Sequence, residues 1–338
     1  MSLAVFANHI ASRRGLRCLF ILTAALLSIL LIGYHFGAFD QNVHIPFLKA
    51  TADPSLYPGD AFVALRDPPI SYFWLFFIPF YRWGILESAI FAAHVLATTL
   101  TFAAIWRLSQ TLFGDAVAST LAVIAFIFPH FGFLGFPVIE FSLLNRTFVL
   151  PFLLFAIDLY LNRRYGWAFL LLGLSANLHP LSAGMVIAML LIPLSVEVRR
   201  IGFIRLFQAA VSFLIGAAPE LLLWINNEQA VDWSLRPEWL SIIARGVLTQ
   251  VLFPFAAIPF VLLLTLSGFS AVGLLLIARR TAPAPAVERP VSLMLISAGL
   301  IFAVGVLSAQ FLPVTVLIEM QLTRVSLFIF IFAYLYFA

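Results

Sequence analysis

The sequence predicts an all-α membrane protein, a polytopic transmembrane bundle of about ten helices that forms a single domain over residues 1–338. Of its 338 residues 63% are apolar and 10% are charged, whereas soluble domains carry about 25% charged residues. Its mean hydropathy is +1.08. Apolar runs of membrane-crossing length recur along the chain and end at pairs of arginines.

Charge and cysteine content exclude several function classes. The net charge of +4 is spread along the chain in pairs, which does not indicate a nucleic-acid partner. Cys18 is the single cysteine, so one chain can form neither a disulfide framework nor a thiolate metal site. No nucleotide-binding loop, zinc motif or nucleophile elbow is present. The composition therefore favours a function carried out within the membrane.

The first apolar run, residues 18–36, follows three arginines and is similar to a signal peptide. It is long enough to span the bilayer and lacks a small-residue cleavage site, so we predict an uncleaved first helix. The polar stretch 37–69 follows it and contains Asp40, Asp53 and Asp60. Residues 70–84 hold about a dozen apolar residues rich in aromatics, which predicts an interfacial helix completing an outer loop over 37–84.

The later apolar runs continue the bundle. Two short runs, 166–178 and 182–196, meet at His179-Pro180, and their junction is expected below the membrane surface because neither reaches 20 residues. Residues 226–247 are predicted as an outer loop with an interfacial helix, and 279–290 as a cytoplasmic linker. The chain ends in an apolar run without closing charges, so we expect a C-terminal part to be missing. The remaining predicted spans are 85–106, 116–136, 148–162, 203–225, 254–278, 291–311 and 325–338.

The basic residues predict the orientation, because cytoplasmic loops are enriched in Lys and Arg. With the N-terminus in the cytoplasm, twelve of the nineteen basic residues lie inside, and eleven of the fifteen acidic residues lie outside. The sequence therefore predicts a multi-pass membrane protein with a cytoplasmic N-terminus and with most of its acidic residues on the outer side.

Ionisable and polar residues at the outer helix ends are the candidate site, because charges near the hydrocarbon usually face a cavity. We expect Asp40, Glu140, Arg146 and His179 to line one outward-opening cleft. The candidates are Asp40, His44, Glu140, Arg146, Asn177, His179, Arg82 and Arg324.

Simpler interpretations stay open for several of these residues. Asp40 could be a solvated helix-end carboxylate, Glu140 and Arg146 a plain salt pair, and His179 the end of a helix before Pro180. For Asp53 and Asp60, in ADPSLYPGD, a turn role is favoured over ligation. Metal dependence is open, with Asp40 and Asp60 as candidate ligands of a divalent ion.

The layout resembles the GT-C superfamily of membrane glycosyltransferases. The resemblance rests on Phe39-Asp40-Gln41 after the first helix, on the interfacial stretch 70–84, and on RRYGWAFLLLGLSANLHPLSAG at 163–184. The segment FDQNVHIPFLKATADPSLYPGD is also similar to one in bacterial integral membrane proteins of that architecture. No second carboxylate stands directly beside Asp40, unlike the family pattern, and no soluble C-terminal domain follows.

The resemblance implies transfer of a sugar from a polyprenyl-phosphate donor to an acceptor hydroxyl at the outer face, with inversion. Asp40 matches the loop carboxylate that serves as general base or metal ligand. Arg146, Arg82 or Arg324 would hold the departing phosphate, since guanidinium binds phosphate in a bidentate manner, and His179 would bind phosphate or sugar. At the membrane boundary, we expect Asp40 to be more basic than in water.

Two other function classes fit the same candidate residues and predicted helices. A transporter or lipid-handling protein also has broken helices and intramembrane polar groups, although no inverted repeat is visible and the candidates gather on one side. A non-catalytic scaffold subunit with the same fold stays open, because the second carboxylate beside Asp40 is missing.

Overall fold

The computed structural model describes residues 2–64, 72–130, 137–226, 233–235, 238, 241–243, 258–280, 285–312 and 314–338. These residues form α-helices and one 3₁₀-helix, and their only β feature is an isolated bridge between Leu235 and Val314. The predicted all-α class is confirmed. The first helices are α1 (Leu3–Ser12), α2 (Arg14–Ile32), α3 (Gln41–Ala52), α4 (Ala61–Ala64), α5 (Tyr72–Leu75), α6 (Ile78–Arg82), α7 (Leu86–Phe113) and α8 (Ala116–Ile127). The later ones are α9 (Asn145–Leu161), α10 (Tyr165–Ala176), α11 (Pro180–Ile201), α12 (Phe203–Asn226), α13 (Ile258–Arg279), α14 (Pro285–Phe311), α15 (Thr315–Glu319), the 3₁₀-helix Leu322–Val325 and α16 (Ser326–Phe337).

Six helical segments in the described part are long and apolar enough to cross a membrane, which makes the chain a multi-pass membrane protein. They are Arg14–Ile32, Leu86–Phe113, Pro180–Ile201, Phe203–Ile225, Val287–Ala309 and Thr315–Phe337. Helices α8 and α10 have 12 residues each and α9 has 17. The expected count of about ten membrane helices stays a prediction.

The polar stretch after the first helix is more ordered than its composition indicates. We predicted a loop over 37–69, but 12 of its residues form α3. Ile45 and Leu48, three positions apart, bury one face of this helix. The interfacial stretch 70–84 divides into α5 and α6 rather than forming one helix.

Two further boundaries correct the sequence analysis. The segment predicted as a short helix over 182–196 is part of α11, which has 22 residues and continues past the internal Pro193 to Ile201. The predicted linker 279–290 is helical from Pro285 onward. Most of the predicted outer loop 226–247 lies outside the described residues.

Two apolar clusters fill the interior. The larger one joins α2 and α7–α11 with the last helices, and Phe102, Leu154 and Phe332 are among its fully buried members. The smaller cluster packs α3, α5 and the start of α7 against Leu143 and Leu144. It covers one end of the bundle, where α2 ends and α9 begins, and we call this the Asp40 end. The opposite end, where α9 ends and α10 begins, is the Arg163 end.

Helices α10 and α12 approach each other through glycine. A Cβ on Gly173 would lie 2.4 Å from the carbonyl oxygen of Phe213, and one on Gly216 would lie 2.6 Å from that of Leu170. Small residues permit such backbone contact between membrane helices. This close approach places the end of α10 directly against the middle of α12.

Candidate functional site

Asp40 is positioned by a loop tied to a distant segment of the chain. Helix α2 ends where the Gly33 N–H donates to the Ile29 carbonyl. Beyond it, the His35 N–H donates to the Phe141 carbonyl at 2.7 Å. The buried side chain of Gln41 accepts from the Gly37 N–H and donates to the Leu143 carbonyl, both at 2.7 Å. Gln41, where the family pattern has a second acid, is therefore a structural residue that fixes the loop.

The backbone just before Asp40 is held in an uncommon conformation. Phe39 has φ 52°, in the left-handed region, which costs about 1–3 kcal/mol for such residues and is often found at functional sites. Its ring packs 4.6 Å from that of Phe141, centroid to centroid. This packing, together with the Gln41 hydrogen bonds, orients Asp40 toward the start of α9.

Arg146, in the first turn of α9, joins two carboxylates from separate loops. Its Nε and Nη2 donate to the two oxygens of Glu140 at 2.6 and 2.9 Å. Its Nη1 donates to Asp40 Oδ2 at 2.5 Å. The Arg146 side chain is 21% exposed and that of Asp40 is 52% exposed. The second acid of the site thus comes from Glu140, one hundred residues along the chain, rather than from the neighbour of Asp40.

A cleft opens beside this cluster and has two chemically different parts. Glu140, Arg146 and Arg324 supply charge. The rest of the wall is mainly apolar and includes Leu150 and Phe328. Asp40 is not part of the lining and reaches the cleft through its bond to Arg146. The cleft is therefore amphipathic, with its charges gathered at the Arg146 side.

The pKa of Asp40 differs from the sequence-based expectation. Burial by itself raises the pKa of Asp40, but the charge and hydrogen bond of Arg146, with Arg324 and His44, outweigh it and hold the pKa below its usual range. The expected increase in basicity is therefore wrong for this state of the protein. His44 stacks on Trp74 at 5.1 Å, and burial lowers the pKa of its ring.

His179 caps the helix that follows it. The Ser182 N–H donates to His179 Nδ1 at 3.1 Å, so the ring is neutral with its proton on Nε2. Burial, followed by the charges of Arg324 and Arg146, lowers the pKa of His179 to about 3. His179 thus lies in the electrostatic field of the Arg146 cluster, while its Nδ1 serves the helix start that Pro180 predicts.

Asn177 has a structural role, and its predicted substrate contact stays a prediction. Pro219 interrupts α12, and Asn177 fills the gap: its Nδ2 donates to the Gly216 carbonyl at 2.7 Å, and its Oδ1 accepts from the Glu220 N–H at 3.0 Å. These two groups would otherwise form one i to i−4 helical bond. Arg82 is exposed at the end of α6 and makes no hydrogen bond or ion pair with another described residue.

The turn interpretation of the other two aspartates is confirmed. Asp53 Oδ1 accepts from the Ser55 N–H at 3.0 Å and from its hydroxyl at 2.6 Å. Asp60 Oδ1 caps α4 by accepting from the Phe62 and Val63 N–H groups. Nowhere in the described ranges do three His, Cys, Asp or Glu side chains gather as a metal would require. Because Asp40 pairs with Arg146 and Asp60 caps a helix, this donor set does not fit a divalent ion.

Two polar residues of the cleft were missed by the sequence analysis. Thr147 and Ser182 both line it, and Thr147 Oγ1 is buried without a hydrogen-bond partner among the described residues. Thr147 directly follows Arg146, which was the one available signal. Ser182 had none, because only the fold brings the start of α11 to the start of α9.

No protein-family model, no curated protein and no solved structure matches this chain. The functional conclusion below therefore depends on the geometry of the site and on the residues that carry the resemblance.

Proposed function

We propose that this protein transfers a sugar from a polyprenyl-phosphate donor to an acceptor hydroxyl at the outer face of the bacterial inner membrane. The observation that carries the proposal is Arg146, held by Glu140 and by the half-exposed Asp40 beside an amphipathic cleft. A guanidinium next to a carboxylate supplies the two groups that this chemistry needs, a phosphate ligand and a proton acceptor.

The shape of the cleft supports an amphiphilic donor. Its charged side, with Arg146 and Arg324, suits the phosphate, and its apolar lining suits the isoprenoid carbons next to the phosphate. Thr147 and Ser182 offer hydroxyl groups to the phosphate or the sugar. A soluble donor would gain nothing from the apolar wall, which favours a lipid-linked one.

Arg146 couples donor binding to the basicity of Asp40. Glu140 holds Nε and Nη2, so Nη1 is the group that a donor phosphate takes over from Asp40. A phosphate that takes over this group removes the hydrogen bond to Asp40 and offsets the charge of Arg146, so less opposes the effect of burial, which raises the pKa of Asp40. Asp40 therefore becomes a stronger base when the donor is in place.

The transfer step follows from these positions. The acceptor oxygen attacks the anomeric carbon while its proton passes to an Asp40 carboxylate oxygen. The bond from the anomeric carbon to the phosphate oxygen breaks, and the polyprenyl phosphate leaves with the electron pair. Arg146 and Arg324 neutralise the charge that develops on that phosphate. No step uses a metal ion.

The outer location of this site is part of the proposal and follows from the arginine distribution. In a Cys18→Ser background, we expect Leu56→Cys and Ala284→Cys to react with an impermeant thiol reagent from opposite sides of the membrane, the first from outside. Labelling of both from one side would remove the proposed orientation.

The activity itself is tested with Asp40→Asn, measured for transfer from a polyprenyl-phosphate sugar and for binding of polyprenyl phosphate. We expect transfer to fall by about 10²–10⁴-fold, the usual effect of removing a general base, with donor binding nearly unchanged. Asp53→Asn is the matched control, because this aspartate serves only a turn: it should reduce folded yield but not transfer per folded molecule. Native transfer by Asp40→Asn, or no transfer by the native protein from any polyprenyl donor, would favour the transporter or scaffold alternatives.

A further inference from the structure

A second charged surface lies at the Arg163 end and takes no part in the proposed reaction. The turn between α9 and α10 supplies Arg163 and Arg164, and the start of α12 supplies Arg205 and Gln208. Together with Trp167 they line an open pocket, which we call the arginine pocket. The three arginines are exposed and form no ion pair with another described residue.

The local backbone and packing bring these cations together. Arg163 has φ 58°, a left-handed conformation that L residues rarely adopt, and Arg164 is the N-cap of α10. A Cβ on Gly166 would lie 3.5 Å from Ser212 Oγ, so the start of α10 packs closely against α12. The three arginines thus lie close together because α10 and α12 pack against each other. A general excess of basic residues would not by itself place them in one pocket.

The pocket is bordered by side chains that suit lipid. Trp167 is 66% exposed, Phe203 is 81% exposed and Phe207 is 59% exposed. In a membrane protein such aromatic side chains lie at the interface or among acyl chains. Of these rings, Trp167 lines the pocket together with the three arginines, and no carboxylate is among the described residues that line it.

We propose that the arginine pocket binds the phosphate headgroup of an anionic phospholipid, with the ring of Trp167 against its apolar part. Guanidinium groups bind phosphate oxygens in a bidentate manner, and basic pockets between membrane helices are suited to anionic headgroups. The apolar border favours a lipid over a free phosphate, because inorganic phosphate makes no use of it. This site is separate from the Asp40 end and does not depend on the proposed activity.

The test uses the purified full chain, delipidated in neutral detergent and titrated with phosphatidylglycerol, phosphatidylcholine or inorganic phosphate. Bound lipid is measured by native mass spectrometry and the melting temperature is followed in parallel. We expect the native protein to prefer phosphatidylglycerol, and Arg164→Gln and Arg205→Gln each to weaken its binding about fivefold. Arg13→Gln/Arg14→Gln is the matched control, because it removes exposed arginines from the same end of the bundle but outside the pocket.

The control distinguishes a built site from a general basic surface. An equal loss of phosphatidylglycerol binding in the control variant would overturn the proposal, as would equal binding of the two phospholipids. Stabilisation by inorganic phosphate alone, to the same extent as by phosphatidylglycerol, would overturn the assignment to lipid. If the Gln variants fold poorly, Arg164→Lys and Arg205→Lys keep the charge and should still weaken binding, because they lose the bidentate geometry; unchanged binding in both would overturn it.

Discussion

Helix α9 carries an ion-pair cluster at each end, and the two clusters are built in opposite ways. Near its C-terminal end, Asp158 is inside, with a side chain 2% exposed, and its partner Arg107 is 57% exposed. Asp158 accepts from Arg107 Nη2 at 2.9 Å, from Thr111 Oγ1 at 2.5 Å and from Asn162 Nδ2 at 3.2 Å. Both oxygens of this carboxylate accept hydrogen bonds, and those from Arg107 and Thr111 join α7 to α9.

At the N-terminal end the arginine is inside and a carboxylate faces outward. Arg146 is 21% exposed between Glu140 at 14% and Asp40 at 52%. A second guanidinium, Arg324, lies on the same cleft. The Asp40 carboxylate is open to an incoming molecule, whereas that of Asp158 is enclosed by donors. The two ion pairs therefore differ in whether a carboxylate can still exchange its partner, as the proposed function requires of Asp40.

The two ends are also expected to differ in their contribution to stability. Asp158→Asn leaves three donors facing a neutral amide in a buried position, and we expect the free energy of unfolding to fall by about 1–3 kcal/mol. Asp40→Asn should lower it by less than about 1 kcal/mol, because half-exposed ion pairs contribute little. Denaturation of both variants in the same detergent measures the difference.

In transfer activity the order of the two variants should be reversed, with the larger loss in Asp40→Asn. Asp158→Asn should transfer sugar at the native rate per folded molecule, whereas Asp40→Asn should not. If Asp40→Asn proved the more destabilising of the two, the exposed cluster would be structural and the comparison would fail.

A smaller effect concerns His179, whose pKa of about 3 in the folded protein lies below the usual 6.5. Because the unfolded chain binds a proton more readily, the folded state should lose stability as pH falls from 6.5 toward 3. His179→Asn keeps an oxygen to cap Ser182 but cannot titrate, so its stability should depend less on pH in that window. Thermal denaturation between pH 4 and pH 8 measures this dependence.

His179→Ala serves as the control, because it removes the titrating ring and the cap together. Loss of an N-cap costs about 1 kcal/mol, so this variant should be less stable even at pH 8. Equal pH dependence in native protein and His179→Asn would mean that another group is responsible.

Local patterns in the sequence predicted much of the fold. Hydropathy predicted the long apolar helices, the junction of two helices was predicted at His179-Pro180, and the turn residues around Asp53 and Asp60 were correctly interpreted. Helix α3 was missed because its polar residues hid the spacing of Ile45 and Leu48.

What the sequence could not predict depends on contacts between distant residues. The lowered pKa of Asp40 comes mainly from Arg146, 106 residues away, acting against burial. Asn177 appeared to be a ligand because it stands near His179, yet its partners are on α12 and become visible only once Gly173 and Gly216 bring the helices together. The spacing of residues along the sequence reveals neither the contact of Asp40 with Arg146 nor that of Asn177 with α12.

The most direct test of the central claim is an experimental structure of the native protein with a bound polyprenyl phosphate. The account predicts phosphate oxygens about 2.7–2.9 Å from Arg146 nitrogens, with Glu140 still paired to Arg146, Asp40 released from Nη1, and the isoprenoid carbons next to the phosphate along the wall near Leu150 and Phe328. A phosphate bound away from this cleft, with Arg146 still holding both Asp40 and Glu140, would contradict it.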